Sequence, residues 1–242
     1  MIDFEISEEN RIFRKAIQDF AQKEIAPLVD EAEETHTFPI QLFRKMGEQG
    51  FLCPRYPVEL GGGGGDKITE CIMVEELNRV NAGITAALMA QSGLATQPIY
   101  RYGSEHQKEK FLVPAIEGKK IGAFGLTEPN VGSDAASIQS RAVRQEDTYL
   151  INGTKMFITN GPICDYVIVA AYTDPTKRGV GINLFIVEKD APGFTVSRKL
   201  DKVGNRSAET GELIFEDCTV PVANMIGEKE GGGFDQLADT LI

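Results

Sequence analysis

The hydrophobic pattern of the chain changes near residue 121, and this change limits the folds available to it. Before that point apolar residues recur with the period of an amphipathic helix, and Ser7 is placed to cap the first helix. After it, short apolar runs alternate with turn residues, as is typical of strands. The pattern predicts an α+β fold, with an N-terminal all-α helical domain over 1–120 and a β domain over 121–230.

The second half of the chain is predicted to consist of short strands. The strand-like runs cover residues 122–127, 142–143, 149–151, 166–173, 182–187, 194–199 and 212–215. No helical pattern lies between them, so an antiparallel β-sandwich or barrel is expected, with a hairpin turn at Asn152 and Gly153. Residues 231–242 place Phe234 and Leu237 on one helical face, which predicts the first turns of a further helix as a third segment.

The first half contains further helix signals and one unusual loop. Residues 67–80 and 82–97 read as helices, and Ser104 with Gln107 forms a predicted capping box. The glycine run over 61–65 predicts a mobile loop. A phosphate cradle is the weaker alternative, because no Lys-Ser or Lys-Thr pair follows the glycines.

Charge and cysteine content exclude several classes of function. The net charge is −11 and no Lys/Arg-rich run is present, which argues against nucleic acid or an anionic membrane as a partner. No run of about 20 apolar residues could span a bilayer. The four cysteines form no Cys-x-x-Cys pair and are expected to be reduced, mostly buried thiols rather than metal ligands. The acidic N-terminus lacks signal-peptide character, so a cytoplasmic location is expected.

The stretch over 123–134 combines an apolar strand-like run with a turn that carries hydroxyl groups. Pro129 and Gly132 favour a loop, and Thr127 and Ser133 place hydroxyls on either side of it. Backbone N–H groups and a hydroxyl in such a turn suit an anion such as a pyrophosphate. From the residues alone, a strand followed by a solvated turn explains the stretch equally well.

A resemblance to a known family favours the first interpretation. The run Leu-Thr-Glu-Pro over 126–129, followed by Gly-Ser-Asp over 132–134, resembles the signature of the acyl-CoA dehydrogenase family. Three further family motifs are resembled by the glycine run, residues 152–161 and residues 203–217. The four motifs follow one another along the chain in the order found in the family. The similarity covers essentially the whole chain, although Val131 stands where a small residue is usual.

The resemblance implies a function, a cofactor and partners. The family reaction is the FAD-dependent α,β-dehydrogenation of an acyl-CoA thioester to the 2-enoyl-CoA, with electrons passed to an electron-transfer flavoprotein, and members are homotetramers. Three alternatives stay open: an acyl-CoA oxidase, a non-catalytic flavin or acyl-CoA binding fragment, and a structural interaction protein. The acyl group is not identified, and short-chain, branched, dicarboxylic and alicyclic substrates all stay open.

The resemblance also assigns roles to individual residues. Phe124, Leu126 and Phe157 would pack against the flavin, Thr127 would bond its pyrimidine edge, and Thr159 would lie beside N5. Ser133 would bind the FAD pyrophosphate near the acyl-CoA pantetheine. The cofactor-binding set is therefore Phe124, Leu126, Thr127, Ser133, Phe157, Ile158 and Thr159, with Ser133 also in contact with substrate. Without the resemblance, Phe157 and Ile158 would read as ordinary strand alternation.

No residue of the chain matches the catalytic base of the family. Most members carry that glutamate in a C-terminal helical domain, so the base is expected beyond Ile242 and these 242 residues alone are expected to be inactive. Lys177 and Arg178 could meet CoA phosphates, but a solvated turn is the favoured interpretation. Arg206 could order a loop or pair with Glu209 or Glu212, and it is not placed in the catalytic set.

Overall fold

The computed structural model describes residues 6–227 and 229–241. The α-helices among these residues are α1 (Glu8–Phe20), α2 (Val29–Thr35), α3 (Gln41–Glu48), α4 (Lys67–Asn78), α5 (Ala82–Met89), α6 (Gln97–Tyr102), α7 (Glu105–Gln107), α8 (Val113–Ile116) and α9 (Gly233–Leu241). Three π-helical turns, Ala21–Ile25, Ala90–Ala95 and Lys108–Leu112, extend or connect them. None of the described helices is long and apolar enough to cross a bilayer.

The described residues form two compact units. The first contains α1 to α5 together with Ile116–Lys119 and Lys202–Ala208. The second contains Ala90–Ala115, Lys120–Asp201 and the residues from Glu209 onward. The second unit holds every residue of the predicted cofactor-binding set, so the site is described within that unit.

Helices α1 and α4 of the first unit are both capped at their first turn, and the Ser7 cap of α1 is the one that the sequence predicted. The Ser7 hydroxyl accepts a hydrogen bond from the Asn10 N–H and caps α1. In α4, Asp66 and Thr69 form a reciprocal capping box. The Thr69 hydroxyl also donates to the Asn10 side-chain oxygen at 2.8 Å, which ties the starts of the two helices together.

The glycine run of the first unit is a hydrogen-bonded turn. The Gly63 N–H donates to the Cys53 carbonyl at 3.2 Å, and the Gly65 N–H donates to the Pro54 carbonyl at 2.8 Å. A Cβ added to Gly62 would come within 2.2 Å of the Tyr56 carbonyl oxygen. Close backbone approach therefore explains a requirement for glycine here, where the favoured prediction from the sequence was a mobile loop.

The second unit is built on one seven-stranded sheet. Its strands are β1 (Gly122–Gly125), β2 (Arg141–Gln145), β3 (Thr148–Thr159), β4 (Tyr166–Tyr172), β5 (Ile182–Glu188), β6 (Phe194–Lys199) and β7 (Thr210–Pro221). Their order is β1-β4-β2-β3-β7-β6, and β5 pairs with β4. The predicted fold class is confirmed, but the sheet is mixed, because β4 runs parallel to β1 and meets β2 in parallel at one residue pair.

The hairpin prediction at Asn152 and Gly153 is wrong. Both residues lie inside β3, and the β2–β3 turn falls at Glu146 and Asp147, where Glu146 has φ of 51°. Asn152 exchanges two hydrogen bonds with Asp217 on β7, at 2.9 and 2.8 Å. A bulge at this point accommodates Gly153, whose added Cβ would come 2.2 Å from the Ser140 hydroxyl. The Asn-Gly pair therefore serves a strand bulge instead of a turn.

The π-helical turn Ala90–Ala95 packs against β1. The Gln91 side chain accepts from the Gly122 N–H at 2.7 Å and donates to the carbonyls of Ala115 and Lys120. The Tyr166 hydroxyl of β4 donates to the Ala95 carbonyl at 3.0 Å. These bonds place β1, and so the segment that follows it, at a defined position on the sheet.

The cysteines are free thiols, as the sequence predicted. Cys53, Cys164 and Cys218 are buried, while Cys71 is exposed. Burial raises the pKa of Cys164 to about 12 and that of Cys218 to about 11, so these thiols stay protonated and unreactive. Among the described residues, no group of three or more His, Cys, Asp and Glu side chains is arranged to hold a metal ion.

Candidate functional site

Two segments of the second unit meet at the end of β1 and carry most of the candidate residues. Leu126 and Thr127 follow β1 directly, and they lie beside the later part of β3. The Met156 N–H of β3 donates to the Thr127 carbonyl at 2.8 Å. The Lys155 ammonium donates to the Leu126 carbonyl at 3.1 Å. The structure therefore joins the first and second family-like motifs through backbone carbonyl groups.

A buried ion pair lies directly behind this junction. The Lys155 ammonium is 2.8 Å from the Glu128 carboxylate, and the two side chains are 0% and 6% exposed. Glu128 also accepts from the Ser140 N–H at 3.0 Å, the Ser140 hydroxyl at 2.6 Å and the Gln139 N–H at 2.6 Å. A buried charge is tolerated only when it is paired and hydrogen-bonded, and Glu128 meets both conditions.

The pKa values of the pair follow from burial and mutual attraction. Burial is the largest influence on the pKa of Lys155 and lowers it to about 8, although the Glu128 carboxylate opposes the effect. Burial would raise the pKa of Glu128, but the charge of Lys155 and the hydrogen bonds from Lys155, Ser140 and Gln139 together leave it below its usual value. Both groups are therefore charged at neutral pH.

A bulge in β3 exposes Phe157. The register with β7 shifts between Lys155 and Ile158. Phe157 has φ of 61° and is 65% exposed, which is unusual for a bulky aromatic residue. Backbone strain of this kind persists only where the surrounding structure holds it, and it is often found at ligand sites. The bulge thus presents an aromatic ring to solvent next to the β1 segment.

The remaining candidate residues take different positions. Phe124, Leu126, Thr127 and Thr159 are half-buried, whereas the Ile158 side chain is 2% exposed and belongs to the core. Ser133 is exposed and lies beyond the tight turn that pairs Glu128 with Val131. Leu126, Thr127 and the bulge residues are therefore brought together, while within the described part of the chain Ser133 forms no hydrogen bond with the bulge.

The turn cations form ion pairs within the second unit. Arg178 donates to both carboxylate oxygens of Asp134 at 3.0 Å, and Lys177 pairs with Asp174 at 3.0 Å. These contacts agree with the solvated-turn interpretation. In the first unit, Arg206 donates to the Lys202 carbonyl at 3.2 Å.

The candidate side chains fit a flavin. Across residues 6–227 and 229–241, the hydroxyls of Thr127, Ser133 and Thr159 hydrogen-bond no protein group. A flavin offers carbonyl and ring-nitrogen acceptors along its edge and a flat aromatic face. The unused hydroxyls of Thr127 and Thr159, which lie near the exposed Phe157 ring, match both features.

Sequence reasoning missed Lys155 and Glu128. A signal was available, because Tyr149, Ile151 and Lys155 share the same alternation parity along one strand. That parity places Lys155 on the buried face with the two apolar residues. A lysine in a core-facing position requires a carboxylate partner, and Glu128 stands at the end of the preceding apolar run.

Comparisons with known proteins identify matching family models and relatives. Residues 7–119 match the family described as "Acyl-CoA dehydrogenase, N-terminal domain", and residues 123–218 match "Acyl-CoA dehydrogenase, middle domain". The short-chain-specific acyl-CoA dehydrogenase of Clostridium acetobutylicum is 44% identical over 240 residues, which are 99% of this chain and 63% of that protein.

Solved structures give the same picture. Butyryl-CoA dehydrogenase from Megasphaera elsdenii is 42% identical with a TM-score of 0.93, and the match covers 99% of this chain and 63% of that chain. A chain in the structure described as "Electron transferring flavoprotein of Acidaminococcus fermentans" is 44% identical with a TM-score of 0.95, with the same coverages of 99% and 63%. This chain thus spans about 63% of the length of the relatives it matches.

Proposed function

The chain belongs to the acyl-CoA dehydrogenase family, and on that premise we propose that the protein containing it oxidises an acyl-CoA thioester to the 2-enoyl-CoA. The cofactor is FAD, which when bound accepts the β-hydrogen of the substrate as a hydride. The observation that carries the proposal is the bulge that exposes Phe157 beside Leu126 and Thr127. The names of the relatives favour a short acyl chain such as butyryl.

Each candidate residue has a proposed role in holding the flavin. Thr127 and Thr159 donate hydrogen bonds to different parts of the ring, and Phe157 covers its face. Ile158 acts through its backbone, because its side chain is buried in the core. Phe124 and Leu126 pack against the ring, and Ser133 binds the pyrophosphate and the pantetheine arm. The chain's contribution is orientation and exclusion of water, while the base that removes the α-proton is proposed to lie outside these residues.

The proposal extends to partners and organisation. Electrons pass to an electron-transfer flavoprotein, the protein is a homotetramer, and it works in the cytoplasm. We also propose the domain division 1–120, 121–230 and 231–242. The family membership supports the partner and the tetramer, and the free buried thiols agree with a reducing compartment.

The proposed function predicts a yellow protein that its substrate bleaches. The purified full-length protein should carry about one flavin per chain, and anaerobic butyryl-CoA should remove most of the visible flavin absorbance because reduced flavin absorbs weakly there. Absorbance spectra before and after addition measure both quantities. Absence of flavin, or flavin that no member of a broad acyl-CoA panel bleaches, contradicts the proposal.

The same experiment separates the alternative functions. Fast reoxidation by air with stoichiometric oxygen consumption indicates an oxidase. Bound flavin that stays oxidised with every acyl-CoA indicates a binding module without catalysis. A colourless protein that does not bind added FAD indicates a structural role.

A further inference from the structure

We propose that Lys155 is a positioning residue for the flavin site, because its ammonium fixes the orientation of the peptide that links Leu126 to Thr127. Through this bond Lys155 determines where the Thr127 N–H points, without touching the cofactor itself. The inference rests on the proposed flavin site and adds one residue to it. The Lys155 side chain bonds the Leu126 carbonyl and the Glu128 carboxylate, and it bonds none of the side chains proposed to hold the ring.

The orientation follows from peptide geometry. The Leu126 carbonyl points toward Lys155, since the ammonium donates to it at 3.1 Å. Among the residues that the structure describes, no peptide bond is cis. In a planar trans peptide the carbonyl and the following N–H point in opposite directions. The Thr127 N–H therefore points away from Lys155.

The next peptide is fixed in the same manner. The Thr127 carbonyl accepts the Met156 N–H at 2.8 Å, and the Glu128 N–H donates to the Val131 carbonyl at 3.0 Å. Both peptides around Thr127 are thus held by groups from the chain. Within the described ranges, the Thr127 N–H itself has no protein acceptor, so it is a fixed donor available to a ligand.

The ion pair gives Lys155 a defined position. Glu128 holds the ammonium at 2.8 Å and is itself held by the Gln139 and Ser140 N–H groups. Lys155 therefore links three segments: the end of β1, the start of β2 and the bulge of β3. An apolar side chain of the same length would fill the space but could not donate to the Leu126 carbonyl.

The test compares flavin binding in three variants of the full-length protein. Lys155→Met removes the donor, and Lys155→Met with Glu128→Gln removes the donor and the buried negative charge together. Leu184→Ala, in β5, is the control, because it creates a core cavity and destabilises the protein without altering the Leu126–Thr127 peptide. The measurements are the FAD dissociation constant after removal of flavin and the circular dichroism of the bound flavin.

We expect Lys155→Met to weaken FAD binding by about ten- to a hundred-fold, because the Thr127 N–H is no longer held in place to donate to the ligand. The circular dichroism of the bound flavin should change as well. The double variant should show the same loss. Because it leaves no unpaired charge in the core, it provides the test if the single variant does not fold. Leu184→Ala should bind FAD within about two-fold of wild type, as expected for a core change away from the ligand. Unchanged affinity and dichroism in either Lys155 variant, or an equal loss in Leu184→Ala, would overturn the inference.

The outcome is distinguishable from failure of the proposed function. If the wild-type protein binds no FAD, the proposed function fails and the inference falls with it. If wild type binds FAD and the Lys155 variants bind it equally well, the flavin site stands and only the positioning role is wrong.

Discussion

Replacing Lys155 with methionine is expected to lower the free energy of unfolding by about 3–5 kcal/mol. The change leaves the Glu128 carboxylate buried without its cation, and the remaining hydrogen bonds from Ser140 and Gln139 do not neutralise its charge. A loss of this size is a large share of the stability of an ordinary domain. Urea unfolding followed by circular dichroism measures it.

Two further variants show whether the cause is the unpaired charge. Adding Glu128→Gln to Lys155→Met should recover part of the loss, because the amide carries no charge but cannot satisfy every donor around it. Lys189→Met breaks the exposed pair with Asp165, also 2.8 Å long, and should cost less than about 1 kcal/mol. Equal losses in Lys155→Met and Lys189→Met would contradict the account of the buried pair.

Replacing Phe157 with alanine is expected to weaken FAD binding by about ten-fold or more. The ring is 65% exposed in the structure, so its removal deletes contact area and aromatic stacking with the flavin and leaves no core cavity. Phe157→Trp should retain the affinity, since an aromatic face of larger area takes the same place. Titration of the deflavinated protein with FAD measures each constant.

The backbone at Phe157 provides a matched stability control. At φ of 61°, glycine is favoured over alanine by roughly 1 kcal/mol, because it has no Cβ to clash with the carbonyl. Phe157→Gly should therefore be more stable than Phe157→Ala while binding FAD equally poorly. If Phe157→Ala binds FAD as tightly as wild type, the aromatic ring is not part of the site.

Local chemistry made much of the fold predictable from the sequence. Ser7 and the pair Ser104 and Gln107 cap helices as expected, since a cap depends only on residues within one turn. The change in hydrophobic period near residue 121 predicted the sheet. Strand order was not predictable, because the parallel pairing of β1 with β4 depends on contacts between residues far apart in sequence.

The wrong hairpin prediction has a physical reason that is not visible in the sequence. Asn152 and Gly153 have the composition of a type I′ turn, but the two hydrogen bonds to Asp217 and the close approach of Ser140 use the same residues for a bulge. Strands β3 and β7, of twelve residues each, pair with each other across this bulge.

The candidate site was predictable only through resemblance to a family. Thr127, Ser133 and Thr159 are ordinary polar residues of strands and turns, and nothing in their spacing points to a flavin. The structure adds that Thr127 lies beside the bulge and that Phe157 is held exposed at positive φ. Lys155 and Glu128 were missed, since a buried ion pair becomes evident only when its two segments are brought together.

The central claim is that FAD binds where the segment after β1 meets the bulge of β3, and amide hydrogen exchange of the full-length protein with and without FAD tests it most directly. FAD should slow exchange across 126–128 and 157–159, including the Thr127 amide, and leave β6 unchanged. Stoichiometric FAD binding without protection of these two segments would contradict the claim.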